Sequence, residues 1–470
     1  MQSGKQRKIW ISLMISLLFI VLYCERKHGT GKELGDFSHK EIIPPPGWAQ
    51  QGVLYQIFPR VFSKEGTFQG IKTKLTYIKS LGIDIIWLMP IFPIGKKGRK
   101  GTIGSPYAVK DFRKINPDYG TVRDFHELVD EIHLLGMKVI LDFIPNHGSN
   151  DNVLMKEHPD WFMQDKMGNF TREVADWTDV ADFNYENPEL RNYMTETMLY
   201  WIEKFDIDGY RCDVAGMVPY DFWEETIYQL RKVKPDIYLL AEWEDPEILF
   251  TGFNSDYGWT EYHLLKDIRK GKRRTADFLN LVAKKDSLYP KNSLTMRFLE
   301  NHDEPRSLTE FGVKAIKAHA MILFTLPGIP LLYAGQEFGE FDRPSLFEKS
   351  ILNWQEVDSS LFNLYKSLIR LRKRYSCFTS GKFIRLPVTA LSGSAGAFMC
   401  ENNQSVAVVI CNLRESKVKN LLVNFPPGVR EKIMSFQLHN YQDKKDTLNL
   451  KEIYFKELSP FSTVIYICEK

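Results

Sequence analysis

The sequence predicts an α/β fold: a (β/α)8 TIM barrel with a small excursion after its third strand, followed by a C-terminal antiparallel β-sandwich domain. Two patterns carry that prediction. From residue 53 to about 338, short apolar runs of strand type alternate with stretches of helical period, and beyond 380 the chain changes to short two-residue alternation broken by turn residues. In order, the strand-type runs are VLYQIFP (53–59), IIWLMPIF (85–92), KVILDFIPN (138–146), DGYRCDV (208–214), IYLLAEW (237–243), YGWTEYH (257–263), LTMRFLENHD (294–303) and IPLLYAGQEF (329–338). Helix-period stretches such as VRDFHELVDEIHLLG (122–136) and PELRNYMTETMLYWIEKF (188–205) separate them. Eight such units close a barrel and put function at the C-terminal ends of the strands. The polar, Trp-bearing stretch at about 148–187 interrupts the rhythm and is expected to wall one side of a cleft. The barrel is thus expected over 48–380 and the sandwich over 381–470, the latter on AFMCENN, SVAVVICNL and STVIYIC with turns at Ser392-Gly393-Ser394 and Pro426-Pro427-Gly428.

A chain of 470 residues exceeds what one core usually supports. Its 44% hydrophobic content and formal charge of +3 describe an ordinary globular protein, with no basic surplus to hold nucleic acid. The N-terminus differs. Lys5, Arg7 and Lys8 precede an apolar run, Ile9 to Tyr23, that is short for a spanning helix and has the layout of an export signal over 1–24. The run ends Val21-Leu22-Tyr23-Cys24, which resembles a bacterial lipoprotein signal with Cys24 as the lipidated residue, although Tyr23 stands where a small residue is usual. An uncleaved signal anchor is the alternative, and either reading exports the protein to the cell envelope with membrane association. Residues 25–47, ending Pro44-Pro45-Pro46-Gly47, read as a stiff tether. The other cysteines (Cys212, Cys377, Cys400, Cys411, Cys468) lack zinc-site spacing and leave room for one disulfide in the C-terminal part.

The strand ends are polar where an ordinary strand would stop. The third ends Asp142-Phe143-Ile144-Pro145-Asn146-His147, the fourth carries Arg211 and Asp213, the fifth ends Glu242-Trp243-Glu244, and the seventh ends Glu300-Asn301-His302-Asp303. Carboxylates crowded at one apolar mouth cannot all ionise without cost, so their pKa values are pushed apart. Glycoside cleavage needs that condition, with one carboxylate ionised and one kept protonated. Arg211 beside Asp213 favours the ionised form there, whereas Glu242 beside Trp243 on an apolar strand favours the neutral form. A hydrolytic metal centre is the competing use, and the histidine pairs or ligand loops it needs are missing at the usual spacing. Cys212 points to the opposite strand face from its neighbours.

Four blocks in order, DFIPNH (142–147), GYRCDV (209–214), AEWE (241–244) and FLENHD (298–303), resemble the conserved blocks of the α-amylase family of glycoside hydrolases. LYQIFPRVF (54–62), LGIDIIWLMPIF (81–92), INPDYGT (115–121) and LPGIPLLYAGQEFG (326–339) extend the resemblance, which covers about 50–470. It implies Asp213 as nucleophile, Glu242 as acid and then base, and Asp303 as the carboxylate that stabilises the transition state. His147, Arg211 and His302 would contact the same sugar, with Tyr107 of SPYAVKDF as its platform. The implied activity is retaining hydrolysis of α-1,4-linked glucan or maltooligosaccharide through a covalent glycosyl-enzyme. The same resemblance leaves open a transglycosylase or exo-α-glucosidase and, from another class, a non-catalytic glucan-binding or transport-partner protein. Ala108 stands where many members have Asp, and Gly216 and Met217 where Lys-His is frequent. Asn146 and Asp182 match calcium ligands of the family, so the resemblance implies a calcium site that the sequence leaves incomplete.

Overall fold

Eight parallel strands close into a barrel in the computed structural model, which describes residues 35–355, 358–426, 428–429, 436–443, 446–448 and 453–470. The expected export signal and Cys24 lie outside the described residues. The barrel strands are β1 (Leu54–Ile57), β2 (Ile85–Leu88), β3 (Lys138–Phe143), β6 (Gly209–Cys212), β7 (Tyr238–Ala241), β8 (Ser255–Tyr257), β9 (Leu294–Arg297) and β10 (Ile329–Tyr333), and β10 pairs back onto β1. Nearly every strand residue is buried, as expected of strands covered by helices outside and side chains inside. The helices Val122–Leu134 and Pro188–Phe205 form where their 3.6-residue period predicts. A Thr121–Asp124 capping box starts the first, and Asn187 Oδ1 accepts from Glu189 N and Leu190 N at the start of the second.

The sixth strand differs from expectation. It occupies Ser255–Tyr257, and most of the stretch expected as strand (257–263) opens a helix, Trp259–Arg269. Tyr262, Leu265 and Ile268 bury one helical face, a three-residue recurrence that outweighs the brief alternation of YGWTEYH.

After β3 the chain leaves the barrel through a hairpin of β4 (His147–Ser149) and β5 (Val180–Asp182), in which His147 pairs with Asp182. Trp161 packs inside this excursion, stacked on His158 with ring centroids 3.9 Å apart. At the barrel's opposite, N-terminal face, part of the expected tether is a packed strap. Phe37 N donates to Leu288 O (2.8 Å), Lys291 N to Lys40 O (3.0 Å) and Asn254 Nδ2 to Ile43 O (3.3 Å), while Ile42 is buried.

The C-terminal region forms a five-stranded sheet in the order β11 (Lys382–Leu386), β13 (Gly396–Glu401), β14 (Ser405–Asn412), β18 (Ser462–Glu469), β16 (His439–Asn440). A three-stranded sheet of β12 (Val388–Thr389), β15 (Val418–Val423) and β17 (Ile453–Leu458) packs against it. Two-residue alternation sorts the faces: Phe398, Cys400, Ala407 and Val409 join the barrel's core, whereas Ala397, Met399, Val406 and Val408 fill the sandwich. Cys400 and Cys411 belong to the barrel-side face and Cys468 packs against the sandwich, and these together with Cys212 and Cys377 are free thiols. The C-terminal disulfide for which the sequence left room is not formed among the described residues. None of their helices is long and apolar enough to cross a membrane.

Candidate active site

The site is built around one guanidinium. Arg211 lies on β6, directly across from Asp142 of β3 in the parallel register, and is fully buried. Its Nη1 lies 2.6 Å from Asp142 Oδ1 and 2.8 Å from Asp213 Oδ1, and its Nε donates to Tyr257 Oη at 3.1 Å. Nη2 stands 2.6 Å from Glu242 Oε1, a charge contact out of line for a hydrogen bond. Trp87 presents its ring to the guanidinium at 5.3 Å. Burial works against the Arg211 charge, but Asp142 and Glu242 outweigh it and hold the group firmly ionised.

Glu242 leads off the end of β7. Its Oε2 accepts from Val214 N at 2.8 Å, and its backbone N–H donates to Cys212 O at 3.0 Å. Burial pushes its carboxyl well above the usual range, and the negative charges of Asp213 and Asp303 add to the rise against Arg211. Asp142 is likewise pushed up to about 7 by burial.

Asp303 follows β9 and joins the group through His302, whose Nε2 is 3.1 Å from Asp303 Oδ2. Gln56 Nε2 donates to His302 Nδ1 at 2.8 Å, so the neutral ring carries its proton on Nε2. Burial first, then Arg211, keeps this imidazole neutral by driving its pKa well below the ordinary value. Tyr107 stacks on the His302 ring (5.3 Å, 15°), meets Nε2 with its hydroxyl at 2.6 Å and donates to Asp142 Oδ2 at 3.0 Å. Burial also raises the Asp303 carboxyl.

The structure thus brings Tyr107, Arg211, Asp213, Glu242, His302 and Asp303 into one connected cluster. His147 heads a neighbouring one: its ring faces Trp177 at 5.1 Å, and Asn146 Nδ2 lies 3.3 Å from both His147 Nδ1 and Asp182 Oδ1. Gln56, Trp87 and Tyr257 complete the site without having been singled out from the sequence, and Asp142 joins it without having been given a role there. A lone amide in the apolar run VLYQIFP was the signal for Gln56, and Asp142 stood inside a recognised block. Trp87 and Tyr257 look like any core aromatic.

Asn146 and Asp182, the two residues that the resemblance matches to calcium ligands, stand side by side. Calcium takes six to eight oxygens. Here Asn146 Nδ2 lies 3.3 Å from Asp182 Oδ1, and the other Asp182 oxygen accepts from Glu173 N at 2.7 Å. Among the described residues no three His, Cys, Asp or Glu side chains stand together to hold a metal.

Comparison with known proteins agrees with this geometry. Residues 51–357 match the family described as Alpha amylase, catalytic domain. Alpha-amylase MalA from Haloarcula japonica is 29% identical over 385 residues, which cover 78% of this chain and 56% of that protein. Among solved structures, a noncanonic maltogenic alpha-amylase AmyB from Thermotoga neapolitana superposes with a TM-score of 0.81 at 31% identity, over 90% of this chain and 99% of that one. An alpha-amylase from Lactobacillus plantarum gives 0.78 at 32% identity, with the same shares covered. A catalytic-domain match over more than half the chain, on a barrel whose four polar strand ends converge, establishes that the chain belongs to the α-amylase family of glycoside hydrolases.

Proposed function

We propose that the protein is a retaining α-glycoside hydrolase that cleaves α-1,4-glucosidic bonds in starch-like polymers or maltooligosaccharides. The observation that carries this reading is the single guanidinium shared by Asp213 and Glu242. Contact with adjacent nitrogens of one Arg holds both carboxyl groups at the same spot, which accommodates the separation of about 5–5.5 Å that double displacement uses. The environments then divide the labour. Asp213, paired with Arg211, attacks the anomeric carbon, while Glu242, kept protonated by burial, gives its proton to the departing oxygen. In the second half Glu242 takes a proton from water, which attacks the glycosyl-Asp213 ester and releases the sugar with retained configuration. Tyr107, stacked on His302 beside Asp303, supplies the aromatic face and hydrogen-bonding edge for the reacting ring.

The deciding experiment follows reducing ends released from starch and from defined maltooligosaccharides by the wild type and Asp213→Asn. We expect clear turnover by the wild type and a loss on the order of 10⁴-fold in the variant. Unchanged activity in Asp213→Asn would remove the assigned nucleophile. An inactive wild type that still binds glucan would favour a binding protein, and products longer than the substrate would mark a transglycosylase. We infer further that the chain is exported and held at the cell envelope through its N-terminal segment.

A further inference from the structure

β6 and β7 end side by side, and the residues just beyond them interlock. Val214, directly after Asp213, sits at φ 38° and ψ 46°, the left-handed region that a β-branched side chain avoids. That turn aims Val214 N–H at Glu242 Oε2, 2.8 Å away. The next carbonyl, Ala215 O, accepts from Trp223 Nε1 at 2.9 Å, which pins the turn to the helix Tyr220–Val233. Gly216 then passes directly beneath Trp243, the residue after Glu242, and a β-carbon at 216 would overlap the indole. Trp243 is 3% exposed, and its Nε1 is buried with no hydrogen-bond partner. An indole placed for a hydrogen bond would not leave its donor unpaired, at a desolvation cost. Packing on Gly216 holds it there.

We propose that Gly216 and Trp243 are positioning residues for Glu242: a residue without a side chain at 216 lets the indole close over the turn after β6 and so fixes the Glu242 carboxyl against Val214 N–H. The proposal rests on the reading of Glu242 as general acid. It supplies a physical reason for glycine at 216, because any side chain there competes with the indole for the same space. Met217, half-buried beside it, gives the turn an apolar rim. It also predicts a chemical signature. When the C1–O bond breaks and Asp213 bonds to C1, an alcohol leaving group takes the Glu242 proton, whereas fluoride departs as an anion and needs none.

The test compares kcat/KM of the wild type and Gly216→Ala on maltotetraose and on α-maltosyl fluoride. We expect Gly216→Ala to lose about 100-fold on maltotetraose, the scale of a small displacement of a reacting group, and under about five-fold on the fluoride. In Gly216→Ala/Trp243→Ala the methyl group has room, so the double variant should lose less than the product of the two single losses. If Gly216→Ala does not fold, Trp243→Phe and Trp243→Ala carry the same comparison, the phenyl ring retaining most of the maltotetraose activity and the methyl group losing it selectively. Equal losses on the two substrates, no loss, or strictly multiplicative losses would overturn the proposal. A wild type that turned over neither substrate would instead bring down the assignment of Glu242 itself.

Discussion

Arg211 and Asp213 stand two residues apart, so alternation puts both side chains on the inner face of the barrel. An ion pair buried only for stability would be poor value, because desolvating two charges costs several kcal/mol and apolar replacements often do better. Here the guanidinium meets three carboxylates, and it offsets part of the rise that burial imposes on Asp142 and Glu242. A prediction follows at this scale. Glu242 works protonated and its pKa is raised by burial, so kcat/KM falls only as pH rises through that elevated value. Glu242→Gln cannot titrate: its residual rate, about 10² to 10⁴ lower, should show no such alkaline limb. A limb retained in the variant would assign it to another group. The carboxylates and Arg211 were legible because charge at the end of an apolar strand is costly and so conspicuous. Trp87, which sits over the guanidinium, was not, since an aromatic in a strand has the same appearance whether it faces a cation or a leucine.

At the scale of elements, the hairpin of β4 and β5 is held by side chains and backbone of its own. His147 pairs with Asp182, Asp182 accepts from Glu173 N, and Tyr185 Oη donates to Pro145 O at 2.8 Å. We therefore expect a chelator to leave both the thermal midpoint and the hydrolytic rate unchanged, and added calcium to raise neither. A midpoint falling by several degrees in chelator would show a cation holding the excursion. Burial raises the Asp182 carboxyl, as expected where no opposite charge is close enough to outweigh desolvation. The existence and order of the barrel strands were legible because each is an apolar run bounded by polar residues. The position of the sixth was not, since three residues of strand and the helix that follows share the aromatic stretch around Tyr257 and Trp259. Only pairing of Ser255 with Leu240 and Leu294 decides which of them enter the barrel.

The whole molecule has two opposed faces. Its mouth carries the acids, and its base carries the strap from Phe37 to Ile43, tied to the loops that enter β8 and β9. An anchor upstream of the strap would hold the base and turn the mouth outward. We expect activity to fractionate with membranes, and Cys24→Ser to release it in soluble form with kcat/KM on maltotetraose unchanged. Activity that stays on the membrane in Cys24→Ser would point to the uncleaved anchor. The sequence by itself determined the barrel, the sandwich behind it, the family and the polar strand ends that carry the three candidate carboxylates, because apolar periodicity and charged strand ends are local patterns with few physical alternatives. Tertiary structure alone decided that one arginine serves three acids, that His147 belongs to a neighbouring cluster, that the described cysteines stay unbonded and that Gly216 lies under Trp243. Those outcomes depend on contacts between strands and loops distant in the chain, whose register and distance no local pattern encodes.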